Sequence, residues 1–297
     1  SAERLACAHG LLPWLARGLS AAGLTDGPHA PIASAASASA ARTLGQVRRL
    51  TELWSLLERA GVAALPFKGP VLSLQLYGDV ALRQSVDLDL AVPFEHYRSA
   101  RSALIAHGLA PRGGHSERQE RALFRWLGHA PFGRGADFVE LHWRFADQRF
   151  PFALHVEDAV ARSRSLGLAG VAMPVMADDD LLAVLAMHGA RHLYERLEWL
   201  AGVTRLLVAQ RGQGARLVAH AKSLRVRRML LSSVQVAHHV LGFPIDVDWR
   251  RVLASDPTAA AIGATMAAGL EANVRRDAPF PSHAALQRRY AEMVDTR

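Results

Sequence analysis

The apolar residues of this chain change period twice, and no other feature limits its possible folds as much. Over the first sixty residues they recur at helical spacing: Leu11, Leu12, Trp14, Leu15 and Leu19 up to Gly23, then Leu44, Val47, Leu50, Leu53, Trp54 and Leu57 in a segment from about Ile32 to Ala60. From Val62 the texture becomes short apolar runs cut by glycine and proline. This predicts a strand over Val62–Phe67, a short helix over Pro70–Tyr77, a second strand over Val86–Val92 and an amphipathic helix over Phe94–His107 stopped by Gly108. After the basic stretch Arg112–Arg121, a hairpin pairs Leu123–Phe132 with Asp137–Trp143 across Gly133-Arg134-Gly135. Beyond Pro174 the pattern is helical again. Asp178 or Asp179 caps a helix through Leu181, Leu182, Leu185 and Met187, followed by helices near Tyr194–Gln210, Arg216–Leu224, Arg227–Leu241 and Ala259–Leu270.

These periods specify an α+β chain in three parts: a helical N-terminal segment over residues 1–60 that packs on the core, an α+β core over 61–175, and an all-helical region over 176–297. The Ala/Ser-rich stretch Ala33–Ala41 suits either a helix or a linker, because both residue types tolerate helix.

With 297 residues, half of them hydrophobic, the chain can bury a large core, and 21% charged residues place it in the ordinary globular range. No apolar run reaches the roughly eighteen residues of a membrane span, so a soluble protein with no membrane partner is expected. Glu3, His9, Gly10, Pro13 and Arg17 interrupt the apolar N-terminal stretch where a signal peptide would need a basic leader and a greasy centre, so the expected location is cytoplasmic. Cys7 is the only cysteine, which excludes an intramolecular disulfide. The net charge of +8 calls for an anionic partner, yet nearly all of the excess is scattered arginine. Lys68 and Lys222 are the only lysines. A lysine kept beside a glycine offers a compact point charge for a phosphate, where the planar fork of arginine does not fit the same space.

Candidate chemistry centres on Arg83-Gln84-Ser85-Val86-Asp87-Leu88-Asp89-Leu90. On a strand, residues two apart share a face at about 6–7 Å, so Asp87 and Asp89 point one way while Val86, Leu88 and Leu90 face the core. Two carboxylates aimed at one point suit Mg²⁺ or Mn²⁺, hard cations that complete their shells with water and phosphate oxygens. Taken alone, the same pair also suits a solvated strand face. In Asp137-Phe138-Val139-Glu140-Leu141-His142-Trp143, alternation puts Glu140 and His142 on one face, and Glu140 joins the aspartates if the two strands are neighbours. His142 reads as a substrate contact or as a hydrogen-bonded packing residue. In Leu65-Pro66-Phe67-Lys68-Gly69-Pro70 a strand runs through a glycine turn into a helix. That arrangement turns backbone N–H groups toward an anion and leaves Lys68 free for phosphate charge.

Taken in order, Lys68-Gly69, Tyr77-Gly78-Asp79, Arg83, Ser85-Val86-Asp87-Leu88-Asp89-Leu90, Glu140-Leu141-His142-Trp143 and His188-Gly189-Ala190-Arg191-His192 resemble the uncharacterised nucleotidyltransferase family of the DNA polymerase β-like superfamily. The resemblance runs from about residue 5 to 210. It implies a small mixed sheet flanked by helices, with Asp87 and Asp89 on one strand and Glu140 on its neighbour as catalytic, metal-binding carboxylates. It also implies Lys68, Gly69, Arg83 and Ser85 near the triphosphate, Mg²⁺ or Mn²⁺ as cofactor, and a nucleoside triphosphate, ATP first, as substrate. The acceptor it implies is a hydroxyl, phosphate or side chain of a small molecule, peptide or saccharide.

His188, Arg191 and His192 occupy one helical face and read either as substrate contacts or as the polar edge of a packed helix; glycine at 189 excludes the helical zinc-protease motif. Arg48-Arg49, Arg225-Arg227-Arg228 and Arg250-Arg251 lack interleaved stacking aromatics, so nucleic acid is retained only as an acceptor. Two rivals stand beside nucleotidyl transfer: kinase-like phosphoryl transfer by the same site, and a non-catalytic nucleic-acid-binding or assembly protein on the same scaffold.

Overall fold

In the computed structural model, which describes residues 2–113, 118–119, 124, 126–135, 137–148, 150–276 and 293–294, the second helical stripe of the sequence is one unbroken helix, α3 (Ala30–Arg59). The Ala/Ser-rich stretch is therefore helix, not linker. Its small side chains, with Ala16 and Ala81, line a hollow of about 460 Å³ that also presents Arg17, His29 and Asp79. The chain forms two units, Leu11–Phe150 with Leu154–Ala177, and Ser1–Gly10 with Pro151–Ala153 and Asp178–Arg297.

The first unit is α+β. After α2 (Leu12–Ala21) and α3 come β1 (Leu65–Pro66), α4 (Gly69–Tyr77), β2 (Leu88–Ala91), α5 (Tyr97–Ala106), β3 (Ala110–Pro111), β4 (His129–Arg134) and β5 (Asp137–His142). The five strands form one mixed sheet in the order β1-β2-β5-β4-β3, parallel only between β2 and β5. One sheet face is apolar: Leu88, Leu90, Phe132, Val139 and Leu141 are buried in a cluster with Leu50, Leu53 and Leu57 of α3 and Ala100 and Leu104 of α5. Each such leucine contributes about 1.5–3 kcal/mol by leaving water. Alternation sends Asp89, Glu140 and His142 to the opposite face.

Two expectations are corrected here. Val86 is 85% exposed because β2 starts at Leu88, so strand alternation does not reach back to it. The helix expected over Phe94–His107 opens with a 3₁₀ turn, Phe94–His96, before α5. The start of the expected hairpin at Leu123 lies outside the described residues. A second hairpin, β6 (Arg164–Leu168) and β7 (Val171–Val175), follows the short helix α6 (Val156–Ala161) and buries Leu168, Met173 and Val175 in the same core.

The second unit holds α1 (Ala2–Ala8), α7 (Asp178–Arg191), α8 (Leu197–Ala209), α9 (Gly214–Ser223), α10 (Arg227–Leu241), α11 (Val247–Ala254) and α12 (Pro257–Arg276). Helix α10 lies at its centre, packed by α7, α8, α9 and α12. Helix α8 begins at Leu197 and not at Tyr194, because Leu193 and Tyr194 take left-handed backbone angles, φ 50° and 51°, in the turn after α7. Among the described residues, no helix is long and apolar enough to cross a membrane.

Candidate active site

The one parallel pairing of the sheet brings the acidic residues together. Asp89 on β2 and Glu140 on β5 are direct register partners, so their side chains leave the same face side by side. Asp87 sits just before β2, and one carboxylate oxygen from each of Asp87, Asp89 and Glu140 lies within 4.8 Å of the others. Asp137, off this face, pairs with Arg49 of α3.

Lys68 and His142 face this charge. Lys68 Nζ donates to Asp89 Oδ1 at 2.9 Å, and His142 Nε2 lies 2.9 Å from the same oxygen and 3.2 Å from Glu140 Oε2. Burial pushes the Asp89 carboxyl up, but the Lys68 ammonium and the His142 hydrogen bond outweigh it and keep Asp89 ionised far below the usual carboxylate range. Glu140 follows the same pattern: burial raises it, and the His142 hydrogen bond leads the contributions that bring it below its ordinary value. Asp87 is raised by burial and then by the Asp89 charge, which outweigh the Lys68 ammonium. Burial lowers His142, and its hydrogen bonds to Asp89 and Glu140 reverse that into a net upward shift. His129, the register partner of His142 on β4, is lowered by burial and by His142.

The loop before β2 is pinned from α3. Gln46 donates from Nε2 to the Ser85 carbonyl at 3.2 Å, and Ser85 Oγ donates back to Gln46 Oε1 at 2.6 Å. This fixes Ser85 beside Gly69, whose missing Cβ would sit 3.5 Å from the Asp87 carbonyl and 3.8 Å from Ser85 Oγ. Gly69 has φ +61°, a conformation that favours glycine, and it opens α4 with Pro70 in the first turn. The first turn of α4, whose N–H groups have no partner within the helix, therefore starts beside the loop that carries Ser85 and Asp87. Arg83 is 9% exposed, with its backbone N–H donating to Ser73 Oγ.

Asp89 Oδ2 is buried and has no hydrogen-bond partner among the described residues. A buried ionised oxygen left unsatisfied costs several kcal/mol unless a ligand completes it. With one oxygen from each of three carboxylates within 4.8 Å of the others, the group fits a divalent cation with hard oxygen preference, as Mg²⁺ or Mn²⁺ has.

His188 and His192 belong to the second unit, where their rings lie 4.9 and 5.2 Å from the ring of Trp199, with the Arg196 guanidinium 5.9 Å above it. Arg191 ends α7 between them. Sequence reasoning passed over His129 and Gln46. His129 was within reach, since counting back from the Gly135 turn sets it opposite His142. Gln46 carries no signal, because one polar residue on a helix predicts no distant partner.

The profile of a family described as uncharacterised nucleotidyltransferase matches residues 2–242. Two solved structures of the antibiotic-resistance factor ANT(2'')-Ia are similar. The solution structure is 11% identical and covers 62% of this chain and 93% of its own, with a TM-score of 0.45. The crystal structure in complex with adenylyl-2''-tobramycin is 12% identical and covers 62% and 98%, also with a TM-score of 0.45. No curated protein matches the chain.

Proposed function

The chain belongs to the uncharacterised nucleotidyltransferase family, and from that premise we propose that it transfers a nucleotidyl group from a nucleoside triphosphate, ATP first, to a small-molecule, peptide or saccharide acceptor, releasing pyrophosphate. The observation that carries this reading is the convergence of Asp87, Asp89 and Glu140, together with a buried oxygen of Asp89 that no donor among the described residues satisfies.

In this reading Asp87, Asp89 and Glu140 hold two divalent cations, Mg²⁺ or Mn²⁺. When bound, these neutralise the triphosphate and acidify the acceptor hydroxyl. Lys68, released from Asp89, donates to phosphate oxygens as negative charge gathers on them. The first-turn N–H groups of α4, with Gly69 and Ser85 beside them, cradle the same oxygens. Arg83 adds a fixed positive charge behind that loop. Glu140 accepts the acceptor's proton as its oxygen forms a bond to the α-phosphorus and the bond from that phosphorus to the bridging oxygen breaks. His142 holds Glu140 and Asp89 in register through its hydrogen bonds to both. His188, Arg191 and His192 are proposed to contact nucleotide or acceptor.

The test is incubation of the full chain with Mg²⁺, candidate acceptors and either α-labelled or γ-labelled ATP. Nucleotidyl transfer moves the α label to the acceptor and frees labelled pyrophosphate from γ-labelled ATP. Movement of the γ label to acceptor would replace this reading with phosphoryl transfer. Triphosphate binding that is indifferent to both Mg²⁺ and Asp89→Asn would remove the catalytic reading altogether.

A further inference from the structure

A second set of ligands stands beside the three acids. His129 and His142 are register partners across β4 and β5, and their rings stack with centroids 4.9 Å apart and planes at 26°. Both converge on Glu140: His142 Nε2 is 3.2 Å from Oε2, and His129 Nε2 is 3.9 Å from Oε1. One ligand atom from each of the three residues lies within 4.8 Å of the others. A packing histidine needs a single hydrogen-bond partner, whereas here two imidazoles from adjacent strands reach for one carboxylate.

The donor set differs in kind from the acid triad. Imidazole nitrogens are good ligands for zinc, copper, iron and nickel ions, while Mg²⁺, Ca²⁺ and Mn²⁺ favour carboxylate, carbonyl and water oxygens. A tetrahedral ion bound at about 2.0–2.2 Å by two nitrogens and an oxygen keeps those donors roughly 3.3–3.6 Å apart. The observed separations, 3.2 Å from His142 Nε2 to Glu140 Oε2 and 3.9 Å from His129 Nε2 to Oε1, run to the two oxygens of one carboxylate and lie within a few tenths of an ångström of that range. Phe67 fixes the far side of the site, meeting both His142 and Phe145 edge-on with centroids 5.0 and 5.2 Å away. The His129 side chain is 43% exposed, which leaves the near side open for a water or a substrate oxygen as a fourth ligand.

We infer that the chain binds a divalent transition metal of the zinc type at His129, Glu140 and His142, next to the cation position of Asp87 and Asp89 and sharing Glu140 with it. The site stands apart from the nucleotidyl-transfer reading, because His129 belongs only to the nitrogen-rich set and Asp87 only to the acidic one.

The experiment titrates the metal-free full chain with Co²⁺, whose visible bands report nitrogen ligation, in the presence of excess Mg²⁺. The wild type retains one Co²⁺ per chain. His129→Phe, which keeps a ring on His142, weakens that binding by at least about 100-fold, beyond the 10–100-fold loss that follows removal of an outer-shell partner. His129→Asn repeats the loss without the ring, and circular dichroism checks that both variants are folded. Asp87→Asn leaves Co²⁺ binding unchanged. Displacement of Co²⁺ by Mg²⁺, wild-type Co²⁺ affinity in both His129 variants, or loss of Co²⁺ in Asp87→Asn overturns the inference. Mn²⁺ binding followed by electron paramagnetic resonance in Asp87→Asn reads out the acid triad separately. An unchanged Mn²⁺ affinity there strikes at the nucleotidyltransferase reading and leaves this site standing.

Discussion

Lys68 Nζ and Asp89 Oδ1 stand 2.9 Å apart, so the only lysine of the α+β unit is tied to the most buried of the three acids. A cation at the triad competes with that ammonium for the same carboxylate. Lys68→Met should therefore raise the affinity for Mn²⁺ alone while weakening Mg²⁺–ATP, since a charge-assisted hydrogen bond to phosphate is lost, about 1.5–3 kcal/mol or roughly 10–150-fold. Calorimetric titration of each ligand separates the two effects. A fall in both affinities would mean that Lys68 serves to hold the triad together and not to bind phosphate.

Asp89→Asn keeps the shape of the side chain and removes its charge. Its Oδ1 partners, Lys68 and His142, then face a neutral amide, and metal-dependent triphosphate binding is expected to disappear. Turnover should fall by at least the order of 10²–10³ that the loss of one electrostatic stabiliser of a transition state costs. Glu140→Gln should reduce turnover comparably. In Asp137→Asn, which loses only the pairing with Arg49 off the site face, turnover should stay near wild type. Steady-state rates of the three variants, with circular dichroism as the folding control, make the comparison.

The pH dependence of the metal-free chain follows from His142. Its folded-state pKa is raised, because hydrogen bonds to Asp89 and Glu140 overcome the effect of burial. The folded state thus holds a proton that the unfolded state releases near pH 6.5. That stabilisation is fully present below the unfolded value and is lost as pH rises through the folded one. Without metal, the denaturant midpoint should fall over that window as pH is raised. Asp87, raised by burial and Asp89, makes a contribution of the same sign at lower pH: present below the ordinary aspartate value, lost as pH climbs through the raised one. Denaturant titrations across the pH range, repeated with His142→Gln, test this. The variant should lose the upper step and keep the lower.

Most of the site was legible because it rests on strand alternation. The period-two pattern in Asp137–Trp143 separates Glu140 and His142 from Val139 and Leu141 whatever the partner strand, and the structure has that separation. What alternation could not supply was the parallel pairing of β2 with β5, which depends on the whole sheet order. The hairpin β6–β7 was missed for a local reason. Its two turn residues are Ala169 and Gly170, with φ 49° and 80°, whereas the sequence signal for a turn with two positive φ angles is Asn-Gly or Asp-Gly. Alanine there hides the turn and breaks the expected preference. Left-handed Leu193 and Tyr194 misled in the same way, since neither residue type announces a turn.

That turn makes the last expectation quantitative. Tyr194 is buried, donates from its hydroxyl to Ser233 Oγ at 2.5 Å, and lays its ring against Gly189 of α7. A Cβ added at 189 would lie 2.2 Å from Tyr194 Cε1. On helix propensity alone, Gly189→Ala should stabilise by about 0.5–1 kcal/mol. Overpacking a filled interior costs about 1–3 kcal/mol, and this contact is with a ring held in place by its hydrogen bond to Ser233, so the clash should win and the variant should be less stable. Tyr194→Leu in the same chain removes the ring atoms in question, so the alanine at 189 should then be neutral or stabilising. Urea denaturation of the two single variants and the double variant measures the coupling; additive midpoints would mean that the ring and the glycine do not constrain each other.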